Sequence, residues 1–325
     1  MAVIAPILGR LVKALVTLLA IAVLNFFLIH AAPGDPAVVL AGEAGAADEQ
    51  MIAQLRERFG LDQPFHVQLG SYVWNIVRLD FGYSFRQGAP VLDLILDRLP
   101  ATLILTLTAF CISLTLGIAL GVAASARVGK ASDSLLTTLA LLFYATPLYW
   151  AALMAVLVFS VELGWLPGFG YETVGAGYTG LARIGDVIRH LILPASTLGL
   201  FFMAVYMRMT RASMLEVAQM DFVKTARAKG LSGPVIRRRH VLRNAILPVV
   251  TLAGLQAGQL VGGAVLTETV FAWPGIGRLM FESLAARDYN TILGVFLVSA
   301  AMVIAFNILT DLVYRLVDPR IGARA

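Results

Sequence analysis

Long apolar runs, separated by short polar stretches, occupy most of the chain. A transmembrane helix needs about 20 mainly apolar residues. Segments that meet this requirement are 9–30, 101–124, 134–160, 191–208, 244–268 and 291–314. The pattern predicts an all-α, polytopic membrane protein with six transmembrane helices, organised as a single transmembrane domain over residues 1–325.

One large insertion, at about residues 31–98, separates the first apolar run from the second. Its segment DEQMIAQLRERFG (48–60) predicts a short amphipathic helix, and HVQLGSYVWNIVRLDFG (66–82) predicts another. Their apolar faces either pack on each other or lie at the membrane surface. The insertion is therefore expected to be an external helical elaboration of the membrane domain.

The composition supports the membrane class. Hydrophobic residues make up 59% of the chain and charged residues 14%, with a mean hydropathy of +0.82. A soluble domain is closer to half apolar and a quarter charged. In this class the net charge of +5 reflects membrane topology, and no nucleic-acid partner is predicted. The single Cys111 excludes an internal disulfide.

The distribution of Lys and Arg predicts the orientation. With the N-terminus inside, inner segments hold 16 of the 25 basic residues, although the outer segments are much longer. Cytoplasmic loops carry such an excess. The first run could be a signal peptide, but its apolar positions continue to Ile29 without a clean cleavage site, so an uncleaved span is predicted. Both termini and the loop 209–243 are expected to be cytoplasmic.

The loop 209–243 contains the most polar hairpin of the chain, DFVKTARAKGLSGPVIRRRH (221–240). Asp221 is predicted to be the N-cap of a short helix, and Gly230 its stop at positive φ. Phe222 and Ala226, four residues apart, are expected to share one face. The hairpin is either a solvated basic loop, with anionic lipid at its arginines, or a rigid knob that enters a cytoplasmic partner.

The run 244–268 carries the candidate pore residues. Gln256 and Gln259, three positions apart, suit a polar pore wall, and Glu268 lies near the predicted outer end. The alternatives are helix packing through nearby glycines and, for Glu268, a position at the membrane interface. A gradient-driven secondary transporter is the rival class, but the first four runs contain no mid-span carboxylate for ion coupling. Asp311 is expected to pair with Arg315.

Motifs for enzyme chemistry are missing. The nearest approach to a Walker A motif, AASARVGKA, has Ala124 in place of the first Gly and Ala131 in place of the Ser or Thr. The four histidines are scattered, and neither a nucleophile elbow nor a zincin motif occurs. No catalytic residue, metal site or cofactor is predicted.

Motifs spread over nearly the whole chain resemble one family. They are APGDPA, GLDQP, LDFGYSF, RLPATLILTLTAF, DFVKTARAKGLSGPVIRRRHVLRNAILPVV, GGAVLTETVFAWPGIGRL and DLVYRLVDPRIG. Together they resemble the permease subunits of bacterial ABC importers of the dipeptide, oligopeptide and nickel class, of the first-permease type. The resemblance implies the type I importer permease fold in a bacterial inner membrane, in a non-catalytic translocation subunit.

The resemblance also implies a role for the polar hairpin. In this family a cytoplasmic coupling helix docks on an ATPase, with the pattern Glu-Ala-Ala, three residues, then Gly. Ala226 and Gly230 match this pattern, whereas Lys224 and Thr225 depart from it. The coupling residues expected from the resemblance are Asp221, Phe222, Thr225, Ala226, Lys229 and Gly230.

The implied partners are a second, homologous permease, two ABC ATPases, a substrate-binding protein and membrane lipid. The implied substrates are di- or oligopeptides; relatives that import nickel, glutathione or opines leave those substrates open as well.

Overall fold

The computed structural model describes residues 4–31 and 62–317, together with the single positions 38, 49, 53 and 56. The described chain is helical apart from loops and one short β-hairpin, which confirms the predicted all-α class. Its elements are α1 (Ile4–Ala31), α2 (Phe65–Val77), β1 (Tyr83–Ser84), β2 (Ala89–Pro90), α3 (Val91–Ser125), α4 (Ala131–Ala145), α5 (Leu148–Ala155), α6 (Gly180–Val217), α7 (Asp221–Ala228), α8 (Gly233–Val235), α9 (Leu242–Val270), α10 (Ile276–Ala286) and α11 (Tyr289–Val317). Two π-helical segments, Val156–Glu162 and Ile236–Val241, continue α5 and join α8 to α9.

The predicted apolar runs all fall on helices. Within the described residues, the stretches long and apolar enough to cross a membrane are Val91–Ser125, Gly180–Val217, Gly233–Leu260 and Tyr289–Thr310. The pair formed by α4 and α5 with its π-helical extension adds a fifth if it is one span, and α1 contributes the shorter apolar stretch Val12–Leu28. The total of six transmembrane helices therefore stays a prediction.

The third predicted run, 134–160, differs from a single helix. The two helical pieces Ala131–Ala145 and Leu148–Glu162 meet at a bend of 102°. Thr146, between them, has an extended backbone with φ −76° and ψ 128°. Pro147 explains the break, because a proline disfavours helical geometry in the residue before it and lacks an N–H to continue the helix.

The chain divides into two compact units. The first contains residues 1–100 and 275–304, and the second contains 101–274 and 305–325. Within the first unit, α1 and α2 share an aromatic cluster in which the rings of Phe26 and Phe65 lie 5.0 Å apart. The second predicted amphipathic helix corresponds to α2, whereas the first, 48–60, lies outside the described residues except for positions 49, 53 and 56.

A polar network orders the short hairpin of the first unit. Strand β1 pairs antiparallel with β2, with Ser84 opposite Ala89. The buried carboxylate of Asp288 accepts hydrogen bonds from the Ser84 hydroxyl and from the Thr291 hydroxyl and backbone N–H. Asp288 therefore caps the N-terminus of α11 and holds the hairpin beside it.

The second unit is built on a close contact between α3 and α6. A Cβ added at Gly117 would lie 2.5 Å from the Cβ of Tyr206, and one at Gly121 would lie 2.5 Å from the Cβ of Thr210. Small residues of this kind let two membrane helices approach to backbone contact. The buried core beside this contact includes Leu105, Leu198, Phe202, Tyr206, Val249, Leu260 and Trp273.

Candidate coupling site and pore residues

The short helix α7 begins one residue earlier than predicted. Met220, with an extended backbone of φ −69° and ψ 151°, is the N-cap, and Asp221 is the first helical residue. The Asp221 carboxylate makes no capping bond and instead accepts a hydrogen bond of 2.8 Å from Lys224 Nζ. The predicted N-cap role of Asp221 is thus wrong, because Lys224, three positions along the helix, binds its carboxylate.

The end of α7 agrees with the prediction. Gly230 has φ +76°, a conformation that a residue with a side chain adopts only with strain. Its N–H donates to the Arg227 carbonyl at 2.9 Å, and the N–H of Leu231 donates to the Ala226 carbonyl at 3.3 Å. This pair of bonds is a Schellman motif, which satisfies the last carbonyls of the helix. Gly230 therefore stops α7 as predicted.

The inner face of α7 packs on a small apolar core, which we call the loop core. Val223 and Ala226 on α7 are both buried. The other members of the loop core are Met214, Val217, Ile236, Val241 and Ala245. Ala226, one of the predicted coupling residues, anchors α7 on the end of α6 and on the segment that leads into α9. The packing of Val223, three positions before Ala226, turns that side of the helix inward.

The outer face of α7 is exposed. Asp221, Phe222, Thr225 and Lys229 all lie at the surface, and the side chain of Phe222 is 39% exposed. Phe222, Thr225 and Lys229 follow one another at intervals of three and four residues, which places them along one side of the helix. Together with the exposed Gly230, five of the six predicted coupling residues therefore lie at the surface. The sixth, Ala226, is buried in the loop core.

An ion pair that sequence reasoning missed fixes the helix from which the loop emerges. Arg211, on α6, donates from Nε to Asp133 Oδ1 at 2.8 Å and from Nη2 to Asp133 Oδ2 at 2.7 Å. The Gly129 N–H donates to the same carboxylate at 3.1 Å, and the Asp133 side chain is only 7% exposed. The pair ties α6 to the first turn of α4. Arg211 lies three residues before the loop-core residue Met214. No local signal could find it, since the partners lie 78 positions apart.

The candidate pore residues occupy different environments. Gln259 is exposed, whereas Gln256 is half-buried. The Gln256 Oε1 atom is buried and has no hydrogen-bond partner among the described residues. An amide oxygen in this state is able to accept a hydrogen bond from water or from a solute.

Glu268 lies in the interior of the second unit. It is fully buried and accepts a hydrogen bond of 2.6 Å from the Thr102 hydroxyl of α3. The buried Trp273 donates its backbone N–H to the Glu268 carbonyl at 2.8 Å and its indole Nε1–H to the Ala101 carbonyl at 2.9 Å. We call Thr102, Glu268 and Trp273 the Glu268 cluster; it connects α3 to the end of α9.

The glycines of α9 divide between packing and open positions. A Cβ on Gly254 would collide with the Thr310 side chain of α11, and one on Gly263 would lie 3.1 Å from Leu198 Cδ1. Gly262 has nothing within 4 Å. Close helix packing is thus present at Gly254 and Gly263. The predicted Asp311–Arg315 pair lies outside the residues whose side chains are described.

No group of three His, Cys, Asp or Glu that could hold a metal ion occurs among the residues that were described.

Comparison with known proteins identifies the family. Residues 113–323 match the family described as binding-protein-dependent transport system inner membrane component, and residues 3–106 match its N-terminal family. The chain belongs to this family. It is therefore a translocation component of an inner-membrane transport system, and the resemblance recognised in its motifs is confirmed.

Relatives resemble this permease over nearly its whole length. The dipeptide transport system permease protein DppB of Escherichia coli (strain K12) is 40% identical over 332 residues, covering 97% of this chain and 98% of the relative. The protein of the same name from Alkalihalophilus pseudofirmus is 39% identical over 328 residues, covering 96% and 97%. Among solved structures, an inward-facing MetNI methionine ABC transporter matches with a TM-score of 0.56 at 18% identity, covering 69% of this chain and 96% of that chain. That likeness confirms the importer permease fold.

Proposed function

We propose that this permease forms half of the translocation pathway of an ATP-driven ABC importer for di- or oligopeptides delivered by a substrate-binding protein. The names of the relatives support the substrate class. The homologous second permease would complete the pathway, and two ABC ATPases would supply the energy. Both termini and α7 would face the cytoplasm of a bacterial cell, as the distribution of Lys and Arg predicts.

The observation that carries the coupling role is the one-sided construction of α7. Its inner face is fixed by the loop core, while Phe222, Thr225 and Lys229 remain exposed on the opposite side. An isolated helix of eight residues is unstable in water. A helix held by its own core and capped at Gly230 can transmit a push from an ATPase to α6 and α9 as a rigid body.

The Asp133–Arg211 pair extends this rigid connection. Displacement of α7 would move the end of α6, and through Arg211 the start of α4 would follow. ATP and the loaded binding protein would each favour one of two arrangements of the permease, since a ligand can only bias an equilibrium between states that already exist.

Gln256 and Gln259 are our candidates for the pathway wall. The buried Gln256 Oε1, which has no partner among the described residues, would accept a hydrogen bond from a peptide N–H or from water as substrate passes. Glu268 is buried and bonded to Thr102, and we propose that its role is to hold α3 beside α9.

The docking role is tested by Phe222→Ala in the importer reconstituted with its binding protein and co-expressed partner subunits. We expect peptide uptake and its stimulation of ATP hydrolysis to fall about tenfold or more, because a central aromatic contact often dominates an interface. The matched control is Phe296→Ala on α11, where the phenylalanine is 42% exposed compared with 39% for Phe222. Uptake unchanged by Phe222→Ala, or lowered equally by both variants, would contradict the docking role.

A further inference from the structure

A groove runs along the inner end of α3 and reaches the arginines that follow α8. It has a volume of about 780 Å³. Its walls are Thr115, Ile118, Ala119, Val122 and Ala123 on α3, Ala126 in the turn after α3, and Pro234, Arg237, Arg238 and Leu242 on the opposite side. Most of the lining residues are aliphatic. Those on α3 extend over about three helical turns, at the end of the apolar run 101–124.

The polar end of the groove is unusually basic. Arg237 and Arg238 both line it, and no Asp or Glu is among its lining residues. Within the described part of the chain, neither guanidinium forms an ion pair or a side-chain hydrogen bond. Two adjacent arginines without a counter-ion among the described residues therefore lie beside the apolar lining of the groove.

We propose that this groove binds one anionic phospholipid, with its phosphate at Arg237 and Arg238 and an acyl chain along α3. Basic pockets between membrane helices on the cytoplasmic side suit such headgroups, and the arginine fork binds phosphate oxygens in two-point fashion. A soluble anion would leave the aliphatic wall exposed to water, and a zwitterionic lipid would bring its own cation close to the two positive charges. Charge and apolar surface together select the anionic lipid.

The lipid site is separate from the proposed docking surface. Phe222, Thr225 and Lys229 are absent from the groove lining, whereas Arg237 and Arg238 belong to the π-helical segment Ile236–Val241. Irregular π-helical segments often mark functional positions. A lipid bound here would bridge α3 and the segment leading into α9, beside the loop core that carries α7. The inference therefore goes beyond the proposed function and does not depend on ATPase docking.

The test measures lipids retained by the full-length chain after release from nanodiscs of equal parts phosphatidylglycerol and phosphatidylcholine, using native mass spectrometry. We expect one retained phosphatidylglycerol, preferred over phosphatidylcholine by about tenfold, since each basic residue near an anionic surface contributes several-fold. The double variant Arg237→Gln/Arg238→Gln should lose this preference. The control Arg239→Gln/Arg243→Gln removes the same charge from exposed arginines outside the groove and should keep it.

A second variant tests the apolar wall. Ala119→Trp places a bulky side chain on the exposed wall of α3, and it should reduce phosphatidylglycerol retention while leaving all the arginines in place. Phe222→Ala should retain the lipid, so a failure of the docking role and a failure of the lipid site give different results.

Four outcomes would overturn the proposal. They are no preference for phosphatidylglycerol in the unmodified chain, an equal loss in both arginine double variants, displacement of the lipid by millimolar inorganic phosphate, and absence of the lipid when the chain is assembled with its partner permease. The last result would make the groove a subunit interface.

Discussion

The loop 209–243, our proposed coupling loop, and the Glu268 cluster both place polar residues beside a buried core, but only the loop leaves one side exposed. In the cluster, Thr102, Glu268 and Trp273 are all at most 2% exposed. In the loop, Val223 and Ala226 are buried while Phe222 on the same short helix is 39% exposed. The difference shows that the cluster holds helices of one chain together, and it is consistent with our proposal that the loop docks on an ATPase.

Buried and exposed polar residues in a membrane protein have different requirements. A buried carboxylate needs hydrogen-bond donors around it, because its desolvation is costly. Glu268 has such a donor in Thr102. The exposed polar side chains of α7 need no partner for stability, so they are free to contact another protein, as we propose.

The largest effect is expected from Glu268→Ala. Loss of the carboxylate leaves the Thr102 hydroxyl without this acceptor and opens a cavity between α3 and α9, at a cost of about 3 kcal/mol. The apparent melting temperature of the full-length chain in detergent should fall by several degrees. Thermal unfolding followed by tryptophan fluorescence measures this change.

Glu268→Gln is the matched control, because it keeps the shape and one carbonyl oxygen as an acceptor for Thr102. We expect less than half of the destabilisation caused by Glu268→Ala. If both variants kept the melting temperature of the unmodified chain while substrate uptake disappeared, Glu268 would be a gate residue, and the contrast with the coupling loop would no longer hold.

The next effect concerns the end of α7. Gly230→Ala forces a side chain into φ +76°, at a cost of about 1–2 kcal/mol. Gly233→Ala is the control, because an added Cβ there has nothing within 4 Å and the backbone has no positive φ. In the reconstituted importer, Gly230→Ala should lower transport per ATP hydrolysed, whereas Gly233→Ala should not. Equal coupling in the two variants would show that a fixed end of α7 is not needed.

The short-range features of the loop could be predicted, but its long-range contacts could not. Gly230 predicts the end of α7 because glycine readily adopts positive φ, and the apolar runs predict the membrane helices. The burial of Ala226 depends on Met214 and Ile236, and the Asp133 carboxylate finds Arg211 across 78 positions. Such contacts depend on how helices pack, and a single sequence contains no periodic signal for them.

The break at Pro147 shows the same limit in another form. Proline also occurs inside α3, α6 and α9, at Pro100, Pro194 and Pro248, and those helices continue through it. Neighbouring helices in a membrane protein can satisfy the backbone groups that a proline frees. Packing therefore decides whether a proline bends or breaks a helix. For this reason the apolar pattern of 134–160 alone did not predict the 102° bend.

The smallest effect tests the start of α7, where prediction and structure disagree. If Asp221 were the N-cap, Asp221→Ala would remove a capping bond of about 1 kcal/mol and lower the melting temperature by a few degrees. In the structure its carboxylate binds only Lys224 among the described residues, in a pair whose side chains are 93% and 69% exposed. Exposed pairs contribute little, so the shift should stay within about 1 °C. Lys224→Ala should give the same small shift, and Asp221→Ala combined with Lys224→Ala should add nothing further. A drop of several degrees for Asp221→Ala alone would restore the capping role and would mean that α7 depends on its first residue as much as on Gly230.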